Sequence, residues 1–433
     1  MKILFVLPNE TIKSNFKKFV KWLNIKFVFG FGKSLAFPIL TALMPPTQDV
    51  EFIEGGHNEI DYNKDYDLVG ITAVTRYSPL AYEIADEFRK RGVKVVMGGW
   101  HASALPEEAK QHADSVVIGE AEDTWPILIK DLKNGTLKPF YQPVRPVDVK
   151  NIPNPQMKIF PRNNRSSVQA TRGCPYKCEF CSMACVKFRN QFRMRPINDV
   201  IEDIIDIPNK GFFFIDNSLT VNPNYSIELF KQMKDLNKRF YAYGNIDVLN
   251  KNKELLKSAQ EAGCFSWFVG FDSICQESLD NVKKVSNKVK NYISSIKNIH
   301  DHGISVMGSF IFGFDYDTID VFNKTDDFIR KSELDIPVFY VLTPFPGSLI
   351  FNRLDREGRI FTKDWSKYDL SHVVFKPKNM TVEELENNFR NFCIQQYSFS
   401  RNLNRMINGI KFGPNIFLNI AIMNNYSMLN NWF

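Results

Sequence analysis

Four of the seven cysteines fall within twelve residues, in Gln169-Ala-Thr-Arg-Gly-Cys174-Pro-Tyr-Lys-Cys178-Glu-Phe-Cys181-Ser-Met-Ala-Cys185. The core spacing is Cys-x3-Cys-x2-Cys. Three thiolates on one tight loop can hold three irons of a four-iron cluster. The fourth iron is then open to a small molecule. The competing chemistry is a structural zinc site, since Cys185 makes a fourth sulfur and zinc accepts four-sulfur sites. Zinc knots more often pair two separated Cys-x2-Cys halves. Cys185 is read as a packed or redox-relevant thiol beside the loop; as a fourth cluster ligand it would close the open iron. Cys264, Cys275 and Cys393 have no ligand spacing to one another and are expected in the core. The odd count argues against a disulfide framework, as does an opening run, Met1–Pro8, too short for a secretory leader. The six histidines show no paired spacing of an acid/base site.

A loop of this kind needs a scaffold. From Ser166 onward strand and helix signals alternate. Strands are expected at Ser167–Thr171, Phe212–Asp216, Phe240–Gly244, Ser266–Phe271, Ser305–Phe312 and Pro337–Leu342. Helices fall between them, and Gly263 and Gly303 sit where left-handed helix ends are expected. Six β/α units suggest a partial barrel, since a full one needs eight. The cysteine loop follows the first of these strands, at the barrel face where such folds place their sites.

Upstream, strands are expected at Lys2–Leu7, Leu68–Val74, Val93–Met97 and Ser115–Ile118, with a helix at Ala81–Arg91. That pattern makes a doubly wound, parallel-sheet α/β domain over residues 1–139. Residues 140–161 carry five prolines and read as an extended linker. The partial barrel takes 162–375, and 376–433 is a helical extension in which Thr381 caps Val382–Gln396.

The Cys-x3-Cys-x-aromatic-Cys motif, with Phe180 as its aromatic residue, resembles the radical S-adenosylmethionine superfamily. The resemblance spans roughly 165–375. It implies a [4Fe-4S] cluster on Cys174, Cys178 and Cys181, S-adenosylmethionine chelated to the open iron, and reductive cleavage to a 5′-deoxyadenosyl radical. It also implies a reducing donor such as flavodoxin or ferredoxin. Further matches assign contacts to S-adenosylmethionine. Asp216-Asn217 would meet the methionine amino group. Gly270-Phe-Asp272-Ser273 stands where the family has Gly-Ile-Glu-Ser, with Asp272 in place of Glu. Gly308 and Gly313 bracket a Gly-x-Ile-x-Gly-like strand, and Thr343-Pro344 begins the turn over the adenine.

Three loops of the first domain resemble those of a cobalamin-binding domain. They carry Thr72 and Val74, then Gly98, Gly99 and Trp100, then Gly119 and Glu120. Small residues at strand ends let backbone approach a ligand closely. The Asp-x-His-x-x-Gly ligand motif of many such domains is missing; His57, His101 and His112 are candidates by residue type only. The resemblance implies bound cobalamin and methylation of an unactivated carbon, or sometimes of phosphorus. The alternatives are a non-methylating radical oxidation, rearrangement or coupling with a vestigial cobalamin domain, an RNA-modifying radical enzyme, and a non-catalytic zinc-binding module. The substrate class is left as a small molecule, a lipid or a peptide.

The 433 residues are 44% hydrophobic and 24% charged, with net charge +7, which excludes a disordered or fibrous chain and permits anionic partners. No apolar stretch reaches membrane-spanning length, so a cytoplasmic protein is expected. Thr11–Lys33 holds six lysines, no acid and several aromatics; Lys13–Leu23 is a solvated helix face or a membrane-surface contact, which the apolar tail Ile416–Phe433 could assist. Residues 140–195 carry eleven basic and two acidic residues, which could hold an anionic ligand or RNA. No recognisable RNA module accompanies them.

Overall fold

The computed structural model describes residues 1–9, 34–160, 166–188 and 190–412. The expectations for Thr11–Lys33 and for the tail from Ile416 lie outside the described residues, as does the side chain of Cys185. Among the described residues no helix is long and apolar enough to cross a membrane.

The first sheet contains β1 (Lys2–Pro8), β2 (Asp49–Gly55), β3 (Leu68–Thr72), β4 (Lys94–Gly98), β5 (Ser115–Val117) and β6 (Phe140–Tyr141). Their order is β2-β1-β3-β4-β5-β6, and every pairing is parallel. β1 reads as a continuous apolar run because both of its faces are covered; Ile3, Leu4, Phe5 and Val6 are fully buried. A Cβ on Gly70 would stand 2.8 Å from the Phe5 ring, so β3 needs glycine there to let β1 pack. Helix Ser78–Lys90 covers one face with Ala81, Ile84, Ala85 and Phe88 at helical spacing.

Two strands of this sheet were not expected. β2 carries Asp49, Glu51 and Glu54 and is only half-buried, as an edge strand is, so its apolar signal is weak. β6 is two residues at the opposite edge, just before the prolines begin.

The second sheet contains β7 (Ser167–Val168), β10 (Gly211–Phe214), β11 (Arg239–Gly244), β12 (Cys264–Asp272), β13 (Ser305–Phe312) and β14 (Ile336–Val341). Their order is β14-β13-β12-β11-β10-β7, again entirely parallel. This is the six-strand partial barrel. Its outer core includes Phe214, Phe240, Trp267, Phe271 and Phe339, packed under the crossover helices. Its interior is filled by Phe213, Tyr241, Phe265, Met307 and Phe412. Gly263 has φ +94°, and a Cβ there would meet the Lys238 carbonyl at 2.1 Å, which accounts for glycine at this helix end. The extension docks through helix Val382–Gln396, whose Leu385, Phe389, Phe392 and Cys393 join the outer core. Thr381 caps that helix in a reciprocal pair with Glu384, at 2.7 and 3.1 Å.

The first barrel strand is shorter than the Ser167–Thr171 expected from the sequence. β7 stops at Val168; the chain then peels away, and β8 (Thr171–Arg172) pairs antiparallel with β9 (Arg193–Met194). The cysteine loop is therefore closed at its base by a two-stranded ladder.

Candidate active site between the two sheets

Asp216 makes the chain peel away. Its fully buried carboxylate accepts hydrogen bonds from the Ala170 and Thr171 amides and from Thr171 Oγ1. Burial raises the carboxyl to about 6, against the hydrogen bonds from Thr171 and Ala170. Asp216 and Asn217 both line a cavity; the Asp216 carboxylate is taken up by the loop base, with the Ala170 N–H also reaching its second oxygen at 3.2 Å, whereas Asn217 forms no hydrogen bond among the described residues.

That cavity measures about 1090 Å³, beyond the roughly 300–1,000 Å³ of an ordinary single-ligand pocket. Cys174, Cys178, Cys181 and Phe180 line it from the barrel side. The loop is pinned by Glu179, whose N–H reaches the Val282 carbonyl and whose carbonyl accepts from Ile350 N–H, both at 2.9 Å. The three thiols are free of disulfides. Burial raises all three, Cys178 to about 12, while the Lys284 charge acts in the opposite direction.

Lys284 is the residue that sequence reasoning missed. Its side chain is 18% exposed, with Nζ 2.7 Å from Asp272 Oδ2 and 5.9 Å from the Phe180 ring centre. Burial alone would lower its pKa, but the charges of Asp272 and the neighbouring cysteines outweigh burial and raise it above the ordinary lysine range. Asp272 has φ +62°, a left-handed conformation costly for a non-glycine residue. Asn287 holds the Asp272 bend, donating to the Gly270 and Phe271 carbonyls at 2.8 and 3.0 Å.

These groups fit an iron–sulfur cluster. Three thiols and a buried cation, which would offset a cluster's negative charge, surround one cavity. No three His, Cys, Asp or Glu side chains among the described residues converge to hold a single ion. Three sulfurs that each bind a different iron have no need to converge.

The opposite wall comes from the first sheet. Thr72, Gly98 and Gly119, at or just beyond the carboxyl ends of β3, β4 and β5, line the cavity with Gly99 and Trp100. Three neighbouring strand ends without a bulky side chain leave room for a large flat ligand, at the sheet edge where such folds bind. Gly99 has φ +89°, and a Cβ there would lie 2.2 Å from Thr72 Oγ1.

Several expected contacts are otherwise employed. Val74 is 49% exposed and does not line the cavity. Glu120 does line it, but its carboxylate binds Arg193 at 2.7 and 2.8 Å and stands 3.5 Å from Arg172. It is an interdomain clamp. Ser273 Oγ accepts from Cys275 N–H at 3.0 Å, and Thr343 Oγ1 donates to the Val341 carbonyl at 3.1 Å; neither faces the cavity, nor does the buried Pro344. A Cβ on Gly308 would meet Phe271 at 2.7 Å, and one on Gly313 would meet Leu385 at 2.9 Å, so both glycines make room for the core. Cys264 and Cys393 are buried as expected, whereas Cys275 is half-exposed and its thiol donates to Glu277.

No histidine among the described residues lines the cavity. His101, just past its wall, is buried 3.3 Å from Glu108, which also accepts from Trp365 Nε1 at 2.9 Å. His57 and His112 pair with Tyr62 and Asp86 on the outside of the domain. The basic surplus of 140–195 is partly neutralised, since Arg172 and Arg193 turn to Glu122 and Glu120, and Arg195 to Asp203. That weakens the case for RNA.

Comparison with known proteins agrees with this geometry. Residues 168–329 match the Radical SAM superfamily, and residues 59–129 match the B12 binding domain. The chain is 34% identical over 354 residues to the bacteriochlorophyllide d C-12(1)-methyltransferase of Chlorobaculum tepidum, covering 79% of this chain and 77% of that protein. It is 33% identical over 365 residues to the C-8(2)-methyltransferase of the same organism, covering 79% and 80%. Among solved structures, the radical S-adenosylmethionine methyltransferase TsrM from Kitasatospora setae, with cobalamin and [4Fe-4S] cluster bound, superposes with TM-score 0.70 over 99% of both chains at 14% identity. That likeness speaks to the fold.

Proposed function

Because this chain belongs to the radical S-adenosylmethionine superfamily and carries its B12 binding domain, we propose that it methylates an unactivated carbon of a small molecule through cobalamin. The observation that carries the reading is the shared cavity, with three thiols on one wall and three bare strand ends on the other. When bound, the cluster and S-adenosylmethionine supply radical chemistry at carbon, and cobalamin supplies the methyl group.

The protein's own part is to bind, orient and exclude water. Cys174, Cys178 and Cys181 would hold the cluster. Asn217 offers an unpaired amide to the amino acid end of S-adenosylmethionine, and Lys284 offers a cation held in place by Asp272. Thr72, Gly98, Gly99, Trp100 and Gly119 would take the cobalamin. Between these walls lie Phe213, Ile215, Tyr243 and Phe268, an apolar and aromatic surface for the substrate. The two Chlorobaculum tepidum relatives are bacteriochlorophyllide d methyltransferases, and a tetrapyrrole with an alkyl side chain suits that surface. An external low-potential reductant is required.

The test is anaerobic turnover of the cluster- and cobalamin-loaded protein with methyl-labelled S-adenosylmethionine and a panel of tetrapyrroles. Label transferred to a substrate carbon supports the proposal. Substrate that is oxidised or rearranged without gaining the label would replace it with a non-methylating radical reaction.

A further inference from the structure

The carboxylates that line the main cavity are all engaged by the protein. Glu120 meets Arg193, Glu122 meets Arg172 and Asp272 meets Lys284, each at 2.7 Å. Asp216 accepts from Ala170 N–H and Thr171 Oγ1. Arg172 and Lys284 are thereby matched. Two cations of the lining are left over, Lys177 and Lys187, and neither ammonium forms a hydrogen bond or an ion pair among the described residues.

Sequence and exposure place them. Lys177 lies between Cys174 and Cys178, in the cysteine loop itself, and Lys187 follows the turn that ends at Cys185. Both are exposed and both line the cavity, so they stand at its mouth. Lys187 Nζ lies 5.1 Å from the ring centre of Phe188, another lining residue. The apolar surface is deeper. Phe213 is buried, and Ile215, Tyr243 and Phe268 are half-buried. Tyr243 packs edge-to-face on Phe213 at 5.4 Å and on Phe268 at 4.7 Å, which holds that surface in one shape. The cavity therefore has an apolar floor and a mouth with unmatched positive charge.

We propose that Lys177 and Lys187 form a carboxylate subsite, which selects a tetrapyrrole carrying a free acid side chain over the corresponding ester. The inference rests on the tetrapyrrole reading given above and adds to it the ionic state of the substrate. The macrocycle lies on the aromatic floor, and the acid group stays at the wet mouth between the two ammonium groups. The negative charge of S-adenosylmethionine is served elsewhere, near Asn217 and Lys284, and cobalamin faces the other wall with neutral amides. A hydrogen bond between two charged groups is roughly twice as strong as a neutral one, and an ester can receive only the weaker kind.

The experiment titrates holoenzyme with pheophorbide a, a chlorin with a free propionic acid, and with its methyl ester, following chlorin fluorescence. Wild type should bind the acid on the order of tenfold more tightly than the ester, and added salt should shrink that preference. The pair Lys177→Gln, Lys187→Gln should bind acid and ester alike, at the affinity of wild type for the ester. The pair Lys177→Arg, Lys187→Arg should keep the preference. Iron per chain should match the wild type in both pairs. Equal binding of acid and ester by wild type, or an acid preference that survives in the Gln pair, overturns the subsite and leaves the tetrapyrrole reading standing. Binding of neither compound by wild type overturns the tetrapyrrole reading and the subsite with it. Iron loss in the Gln pair overturns the subsite by making the lysines countercharges of the cluster. Weakened binding of cobalamin but not of cobinamide, which lacks the nucleotide phosphate, overturns it by assigning them to the cofactor.

Discussion

Arg193, at the far base of the cysteine loop, grips Glu120 of the first domain with two hydrogen bonds, Nη2 at 2.7 Å and Nη1 at 2.8 Å. Arg172, its partner across the β8–β9 ladder, reaches the same carboxylate at 3.5 Å and Glu122 at 2.7 Å. The ladder that closes the loop thus also fastens the loop to the domain across the cavity.

Replacing Glu120 with Gln should leave two buried guanidiniums short of countercharge. Breaking a buried pair costs about 3–5 kcal/mol. The lower end is expected here, because Glu122 still serves Arg172. Thermal unfolding should show a lower midpoint and cobalamin titration a weaker Kd, while iron per chain stays unchanged. An unaltered cobalamin Kd would show that the clamp does not set the distance between the walls.

The same pair fixes a pH response. Burial raises the Glu120 carboxyl, but the Arg193 hydrogen bonds and the charges of Arg172 and Arg193 outweigh it, so its pKa is lowered. A lowered native pKa gives stability that is present above the unfolded value, about 4.3, and lost as pH falls through the native one. Cobalamin affinity should therefore be flat from about pH 8 to about pH 5 and fall in stronger acid. In Glu120→Gln that Glu120-linked acid transition should be absent, as read by tryptophan fluorescence of the loaded protein.

Asp216 and Asn217 are neighbours with opposite expected phenotypes. Asp216→Ala removes the acceptor of two buried amides and one hydroxyl, each costing about 1–3 kcal/mol when left unpaired. It should lower the unfolding midpoint and the iron content together. Asn217→Ala should keep both and weaken S-adenosylmethionine binding. Equilibrium dialysis with an iron assay separates the two; iron loss in Asn217→Ala would contradict the division of labour.

The parts legible in the sequence were those written in local pattern. Cysteine spacing gave the loop, short apolar runs gave the six barrel strands, and Thr381 announced its helix. What stayed hidden was tertiary. Gly308 and Gly313 read in the sequence as close approaches to a ligand, but the space a Cβ would fill is held by Phe271 and Leu385. A glycine requirement reads the same whether ligand or core is the neighbour. Glu120 resembled a ligand contact because its partners Arg172 and Arg193 come from a distant part of the chain. Lys284 matched no motif, and only its ion pair with Asp272 beside the thiols marks it.

Lys284→Met keeps much of the side-chain volume and removes the cation. Asp272 is left buried without its partner, and the cysteines lose the charge that opposes their burial. S-adenosylmethionine affinity should fall on the order of tenfold or more, which is about 1.4 kcal/mol or more. Iron content should be retained. Affinity within twofold of the wild type would remove Lys284 from the binding site.

The central claim is that cluster and cobalamin share one cavity, and electron paramagnetic resonance tests it most directly. Holoenzyme is poised so that the reduced cluster and cob(II)alamin are both paramagnetic. Their signals should be split or broadened by mutual coupling, and Cys178→Ala should return the cobalt signal to that of an isolated centre. Two independent, unperturbed spectra in fully loaded wild-type protein would contradict the account.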